Sequence, residues 1–429
     1  EDRVNRTSSR SAEPVARHGR LRSPHPAAQI AVIVGAMAIV VALALAGTAA
    51  FALWATTSTI AKNAVTLENT VELPPDMGAI EGGANLLVVG TDSCQGQDLA
   101  LFPRCAHDEG GERNDVTMLV HISDAPRRIT VISFPRDMLV PIPSCPSPDG
   151  GRYSAMSSQM MNASYSYGGL PCTALTVEQL TGEKIQFAAA IRWTGVIHMS
   201  DAIGGVQVCL AGDVNDRHTG LHLTAGEHVL KGAEALQFLR IRHGIGDGSD
   251  LGRISNQQQF MTSLVRKVQS GDVLSHPSTL FSLATTAMQQ VTDKQLILSD
   301  QLANPTRMVQ IAMALKSVPY KDIVFVQYPT RYAQGDGRSS RVLPVTSAAD
   351  ALFAALRENR AIRLTGKASQ GLGVEVKGEV SSPSPSPSAS PGSTAGATTA
   401  PDPDANAVDL PQEIAGTTAA QVTCTRPQQ

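Results

Sequence analysis

Neither sign of charge dominates this chain of 429 residues: 35 Lys and Arg stand against 38 Asp and Glu, a formal net charge of -3. That balance argues against a nucleic-acid binder, whose domain is usually strongly basic. Aromatics are scarce, at 4% of the sequence, which also removes the stacking platform used to hold single strands. There is no CxxC pair and no Cys/His cluster at zinc spacing, so a structural zinc site lacks its donors. No internal repeat is visible, no cysteine precedes Cys94, and no charged residue falls from Ser23 to Ala61. What is present is a 42% hydrophobic content, ample for a core and incompatible with disorder along the whole chain. The length suits one large domain or two ordinary ones plus appendages, at roughly 100–200 residues per domain.

The charge-free stretch contains Ala27–Ala55, AAQIAVIVGAMAIVVALALAGTAAFALWA. It is long enough to cross a hydrocarbon core of about 30 Å as a helix, and Trp54 at its outer end suits the interface. Six arginines within residues 1–22 predict a cytoplasmic N-terminus and an extracellular remainder. A cleaved signal peptide is the competing reading, but the apolar run is about twice the usual h-region length. The expected location is therefore the cell membrane, with a basic cytoplasmic tail (1–26), one transmembrane helix (27–55) and a spacer (56–83).

Cys94, Cys105, Cys145, Cys172, Cys209 and Cys424 all follow that span. An even set confined to the exported part predicts disulfides. Cys94–Cys105 closes a short loop and is the favoured single pairing; the other four allow three arrangements. The tract 381–405, SSPSPSPSASPGSTAGATTAPDPDA, reads as extended and flexible. The expected folded domain is 84–365, with 366–429 as a Pro/Ser/Thr-rich tail.

Within that domain, ANLLVVG (84–90), VTMLVHI (116–122) and RITVISF (128–134) are short apolar runs between turns, the pattern of buried strands. FAAAIRW (187–193) and GVQVCL (205–210) add weaker ones, and DIVFVQY (322–328) a late one. SSQMMNASY, TALTVEQL, TGVIHMSDAI, GAEALQFLRIR and 251–269 read as helical. Strands alternating with helices predict an α/β domain: a mixed central sheet flanked by helices on both faces. Polar chemistry in such folds gathers at strand ends and helix starts.

Five stretches place charge at those edges: Asp92 after the first strand, Arg113 and Asp115 before the second, Arg136 and Asp137 after the third. Arg240 and Arg242 close a helix; Asp250, Arg253 and Gln257 open the next. Taken singly, each has an ordinary structural reading: a turn aspartate, an exposed ion pair, cations answering a helix dipole, an N-cap. Taken together they sort by chemistry. Asp92 and Asp115 are hard oxygen ligands of the kind Mg²⁺ takes in ones and twos. Arg136, Arg240, Arg242 and Arg253 carry forks that match phosphate oxygens, and a pyrophosphate would relieve their mutual repulsion. Arg253 and Gln257 are four apart and so share a helix face.

In order, NLLVVGTDS, RNDVTMLVHI, ISFPRDMLV, NASYSYGG, DAIGGVQV, GAEALQFLRIR and SDLGRISNQQQF resemble the motifs of LytR-CpsA-Psr proteins, densely over about 84–262. The resemblance implies a membrane-anchored, Mg²⁺-dependent (or Mn²⁺-dependent) phosphotransferase. Such an enzyme moves a glycopolymer (teichoic acid, arabinogalactan or capsule type) from a polyprenyl-pyrophosphate carrier to a peptidoglycan hydroxyl, O6 of muramic acid. It implies that Asp92 and Asp115 are the metal ligands and that Arg113 acts with them. Arg136, Arg240, Arg242 and Arg253 would hold the pyrophosphate, Gln257 would support it, and Asp250 would orient the arginines. Two departures stand out: Asn256-Gln257 occupies a place where many members have Arg-Gln, and a stretch with Cys94, Cys105 and His107 is inserted between Asp92 and Arg113. A lipid carrier needs an apolar groove, expected from Met156, Met160, Met161, Leu180, Ile185 and Phe187. A pyrophosphate hydrolase and a non-catalytic wall-polymer binder or regulator are the competing functions.

Overall fold

The computed structural model describes residues 61–69, 73–74, 83–107, 111–147, 149–271, 273, 276–333, 341–368, 373–382 and 407–428. The expected cytoplasmic tail and transmembrane helix lie outside these residues. Among the described residues, no helix is long and apolar enough to cross a membrane.

The strands that organise the molecule are β1 (Ala84–Thr91), β2 (Asn114–Ile122), β3 (Ile129–Phe134), β4 (Phe187–Ile191), β5 (Val206–Leu210), β6 (Gly226–Leu230), β7 (Leu296–Leu298), β8 (Ile323–Gln327), β9 (Val374–Glu379), β10 (Gly416–Thr418) and β11 (Gln421–Thr425). The helices are α1 (Ala163–Thr181), α2 (Trp193–Ala202), α3 (Gly232–Arg240), α4 (Asp250–Gln269), α5 (Pro277–Thr292), α6 (Pro305–Lys316) and α7 (Thr346–Arg357). Seven strands form one sheet in the order β7-β4-β1-β2-β3-β8-β10. It is mixed: β1 runs parallel to β4 and β3 parallel to β8, while β1/β2 and β2/β3 are antiparallel. The expected α/β class and mixed sheet are therefore present.

The pleat sorts the apolar runs onto two faces, since alternate residues of a strand point opposite ways. Leu87, Val89, Leu119, Ile132, Phe134, Val324 and Val326 pack on one side, with Tyr165, Leu170, Ala174 and Val177 of α1 and Leu352, Phe353 and Leu356 of α7. Met118, Ile129, Val131, Ile323 and Phe325 pack on the other, against Met261 and Val265 of α4 and Leu315 of α6. Runs without polar alternation were needed because both faces are covered.

Helix α1 bends at Gly168 and Gly169, before Pro171. Gly169 takes φ 64, a conformation that favours glycine. A side chain at Gly168 would collide with the Cβ atoms of Cys172 and Cys145. Those two cysteines are joined, and so are Cys94 with Cys105 and Cys209 with Cys424. The favoured pairing is thus present, and one of the three open arrangements is selected.

Three expectations need correcting. Residues 366–429 are not simply a tail. β10 pairs with β8 at the edge of the main sheet, and β9 and β11 complete a second sheet, β6-β5-β11-β9. Ala415, Ala419 and Cys424 are buried there; the Pro/Ser tract itself lies almost wholly outside the described residues. The spacer also begins to fold early, for Leu67 is buried in the core and Val65 bridges to Ser299. Finally, SSQMM is not helical: Met156–Met160 is a strand paired with Leu139–Ile142, and the helix starts only at Ala163.

Candidate active site

Topology alone brings the sequence-predicted residues to one end of the sheet. β1 ends at Thr91, opposite the start of β2 at Asn114, so Asp92 and Asp115 share an edge. β3 runs antiparallel to β2 and ends at Phe134, opposite Thr117, which delivers Arg136 to the same edge. β4 runs parallel to β1 and ends at Ile191, opposite Gly90 and two residues before Trp193. Helix α4 begins here too: Ser249 caps it by accepting a hydrogen bond from Gly252 N, and Arg253 donates to the Asp115 carbonyl at 2.9 Å.

The side chains form a linked charge network. Arg136 Nη1 lies 2.6 Å from Asp115 Oδ1, and its Nε lies 3.4 Å from Asp250 Oδ1. Arg253 Nη2 lies 2.6 Å from the same Asp250 oxygen. Asp250 therefore sits between two guanidiniums as their shared counter-ion, and its Oδ2 accepts the Arg136 backbone N–H at 3.3 Å. The mutual repulsion expected among the arginines is partly relieved inside the protein, by Asp115 and Asp250. Burial pushes the Asp115 carboxyl up, but Arg253 and Arg136 outweigh it and hold the group below the ordinary carboxylate range. Arg240 and Arg242 are held less well. Burial and, respectively, the nearby Arg104 and Arg136 push these guanidiniums below their ordinary value, despite the pull of aspartates. Nε of Arg242 and of Arg253 is buried without a hydrogen-bond partner. Buried cations with unused donors are what an anionic ligand would satisfy.

Asp92 accepts the Arg113 backbone N–H at 2.7 Å. Burial raises its carboxyl above the usual value, with a further push from Asp115. Arg113 contributes that backbone group, while its side chain faces solvent. Gln257 is buried, donates to the Leu239 carbonyl at 2.9 Å, and so ties α4 to α3. Asn256 turns away from the charge network and donates to the Phe238 carbonyl.

Beside this network opens an apolar cavity of about 400 Å³ between the sheet and helices α2, α3, α4 and α5. Asp115, Arg240, Arg253 and Gln257 line it together with Met118, Met199, Leu236, Phe260, Met261 and Leu283. The groove residues proposed from sequence are elsewhere. Met161 and Ile185 belong to the core on the opposite face of the sheet, Phe187 packs under α5 and α6, and Met156 lies beside the Cys145–Cys172 bridge. From β2 it is Met118, not its neighbour Leu119, that packs toward α4.

The sequence matches the LytR_cpsA_psr family over residues 51–357. The chain belongs to the LytR-CpsA-Psr family. It is 27% identical over 283 residues to the cell wall biosynthesis protein LcpA of Corynebacterium glutamicum, covering 61% of this chain and 53% of that protein. It is 30% identical over 178 residues to the polyisoprenyl-teichoic acid–peptidoglycan teichoic acid transferase TagU of Bacillus anthracis, covering 39% and 54%. The chain thus spans about half the length of the curated relatives it matches. Among solved structures, a LytR-Csp2A-Psr enzyme from Actinomyces oris is 21% identical with a TM-score of 0.47, covering 68% of this chain and 94% of that one.

The geometry adds residues to this LytR-CpsA-Psr site that were given no role from sequence. Trp193 is buried at the cavity wall, with the Arg240 guanidinium 4.1 Å from its ring centroid. Arg192 Nη2 lies 2.6 Å from Glu112 Oε2 and braces the segment that leads into β2. Asp137 faces a second cavity of about 300 Å³ with Arg242, Asp247, Ser249 and Tyr332. Only the PRD sequence hinted at any of them, by placing Asp137 next to Arg136.

Proposed function

We propose that the protein is a phosphotransferase that moves a glycopolymer from a polyprenyl-pyrophosphate carrier to a peptidoglycan hydroxyl, O6 of muramic acid. The observation that carries this reading is the joining of an apolar cavity to a guanidinium cluster at one sheet edge. An isoprenoid chain suits the cavity, and a diphosphate suits Arg240, Arg242 and Arg253. The apolar run 27–55, read as a membrane anchor with the folded domain outside the cell, would bring the site to where a lipid carrier resides.

Among the described residues, no group of three or more metal-ligating side chains occurs, so the protein would supply at most two donors. That fits Mg²⁺, which keeps waters and takes substrate phosphate oxygens. Asp92 and Asp115 would hold it, since each engages Oδ1 in the contacts above and keeps Oδ2 for an ion. When bound, the ion would neutralise charge on the pyrophosphate.

The chain's own part is positioning and charge stabilisation. The acceptor oxygen attacks the glycan-side phosphorus and forms a new P–O bond. The bridging P–O bond breaks, and polyprenyl phosphate leaves with the electron pair, its charge met by Arg253. The hydroxyl proton passes to a carboxylate at this edge; Asp92, which forms no ion pair, would take it on an oxygen not engaged with the ion.

The test is incubation of the full chain with a radiolabelled lipid-linked glycan and peptidoglycan oligomers, with and without a chelator. Label in peptidoglycan that disappears with chelation is expected. Label only in free glycan would replace the transferase with a hydrolase, and binding without turnover would leave a polymer-binding protein.

A further inference from the structure

The inserted stretch between Asp92 and Arg113 is not peripheral to the site. Cys94 and Cys105 close it into a loop, and Phe102 on that loop stacks on Trp193 with ring centroids 4.9 Å apart. The next turn places the Arg104 guanidinium 4.6 Å from the same indole centroid. Trp193 therefore carries two cations, Arg104 from the loop and Arg240 from the end of α3. The charge of Arg104 is felt at both Asp92 and Arg240.

Two like charges on one ring repel. The face of the indole offsets part of this through cation–π attraction, which is modest at an exposed position. A bridging anion would remove the rest. Depth gives the order of the cations: Arg253 is 3% exposed inside the site, whereas Arg104 lies on the surface. A diphosphate whose lipid enters the cavity would present its inner phosphate to Arg253 and its outer one toward Arg240 and Arg104.

We propose that Arg104 is a substrate-binding residue, held by the Cys94–Cys105 loop against Trp193, and that it grips the outer, glycan-side phosphate of the donor. This rests on the reading of the site as a lipid-pyrophosphate pocket. It also assigns a function to the insertion: the loop supplies a cation at the entrance.

The experiment is calorimetric titration of the full chain in detergent with geranylgeranyl pyrophosphate and, separately, geranylgeranyl monophosphate. The wild-type protein is expected to prefer the pyrophosphate. Arg104→Gln should weaken pyrophosphate binding by about tenfold, the scale of one charge-assisted hydrogen bond, and leave the monophosphate unchanged. Arg104→Lys should recover part of the loss. The Cys94→Ala/Cys105→Ala variant should behave like Arg104→Gln, because an open loop no longer holds the guanidinium on the ring. Equal weakening of both lipids by Arg104→Gln, or of neither, overturns the proposal. A Cys-free loop that binds pyrophosphate as the wild type does overturns the role of the disulfide. If the wild type binds neither lipid, the pocket reading itself is wrong, a result separate from any effect of Arg104.

Discussion

Replacing Cys209 and Cys424 by alanine should cost more stability than opening either of the other bridges. In the chain-entropy account, a disulfide stabilises by restricting the unfolded chain, in proportion to the logarithm of the loop it closes. Cys209–Cys424 spans 215 positions, against 27 for Cys145–Cys172 and 11 for Cys94–Cys105. The corresponding contributions are about 5, about 3.5 and roughly 3 kcal/mol. The structure adds a reason for the long bridge to matter at the site. It joins β5 to β11, and both strands grip α4: Gln259 donates to the Cys209 carbonyl at 2.7 Å and to the Thr423 carbonyl at 2.6 Å. The Thr425 hydroxyl meets both Asn256 Oδ1 and Gln259 Oε1, and its single proton serves one of them at a time. Losing the bridge should therefore loosen the helix that carries Arg253, and pyrophosphate binding should weaken along with stability. Urea unfolding of the three double variants, compared through midpoint and slope, checks the ranking. If the Cys209/Cys424 variant loses no more than the Cys94/Cys105 variant, the C-terminal segment is not the clasp described here.

Two further expectations concern single residues. Arg253→Lys keeps the charge but removes the planar guanidinium whose Nη2 reaches both Asp250 and the Asp115 carbonyl. Binding of a polyprenyl pyrophosphate should fall by about tenfold or more, and an unchanged affinity would show that the guanidinium does not organise the site. His121 is buried on β2, its Nδ1 2.8 Å from Asn85 Oδ1, and burial lowers its pKa from 6.5 to about 4. The unfolded chain therefore takes up this proton first, so the contribution to stability is complete above pH 6.5 and is lost as pH falls toward 4. The loss amounts to about 3 kcal/mol by linkage, and His121→Gln should flatten the wild-type pH dependence across that window. Parallel curves for the two proteins would place the acid sensitivity elsewhere.

How much of this was readable in advance depended on what each segment packs against. Strands β1, β2, β3 and β8 are apolar on both faces because helices cover both, and such runs are visible in sequence. The charged residues at their ends followed, because antiparallel pairing of β1, β2 and β3 forces Asp92, Asp115 and Arg136 to one edge. The cavity was not readable in the same way. Its walls come from helices packed over one face of the sheet, a tertiary arrangement with no local signal; Met161 and Ile185 lie in connections that pack on the opposite face, and Met118 and Met261 are the actual liners.

Helix α4 and the returning C-terminus were obscured for the same reason, and each explains the other. Asn256, Gln257, Gln258 and Gln259 form a polar run that on its own suggests a solvent-facing helix, yet all four are buried. They can be buried because partners satisfy them, and buried amides are costly unless they are paired. Two of those partners, the Thr423 carbonyl and the Thr425 hydroxyl, come from a segment more than 150 positions away. A local reading sees surplus polarity in α4 and surplus chain after residue 366. Together the two surpluses make the second sheet, with the disulfide Cys209–Cys424 across it. A helix with unused polar groups is thus a reason to search the chain for a distant strand, and the even count of cysteines was the remaining clue that Cys424 had to return to the fold.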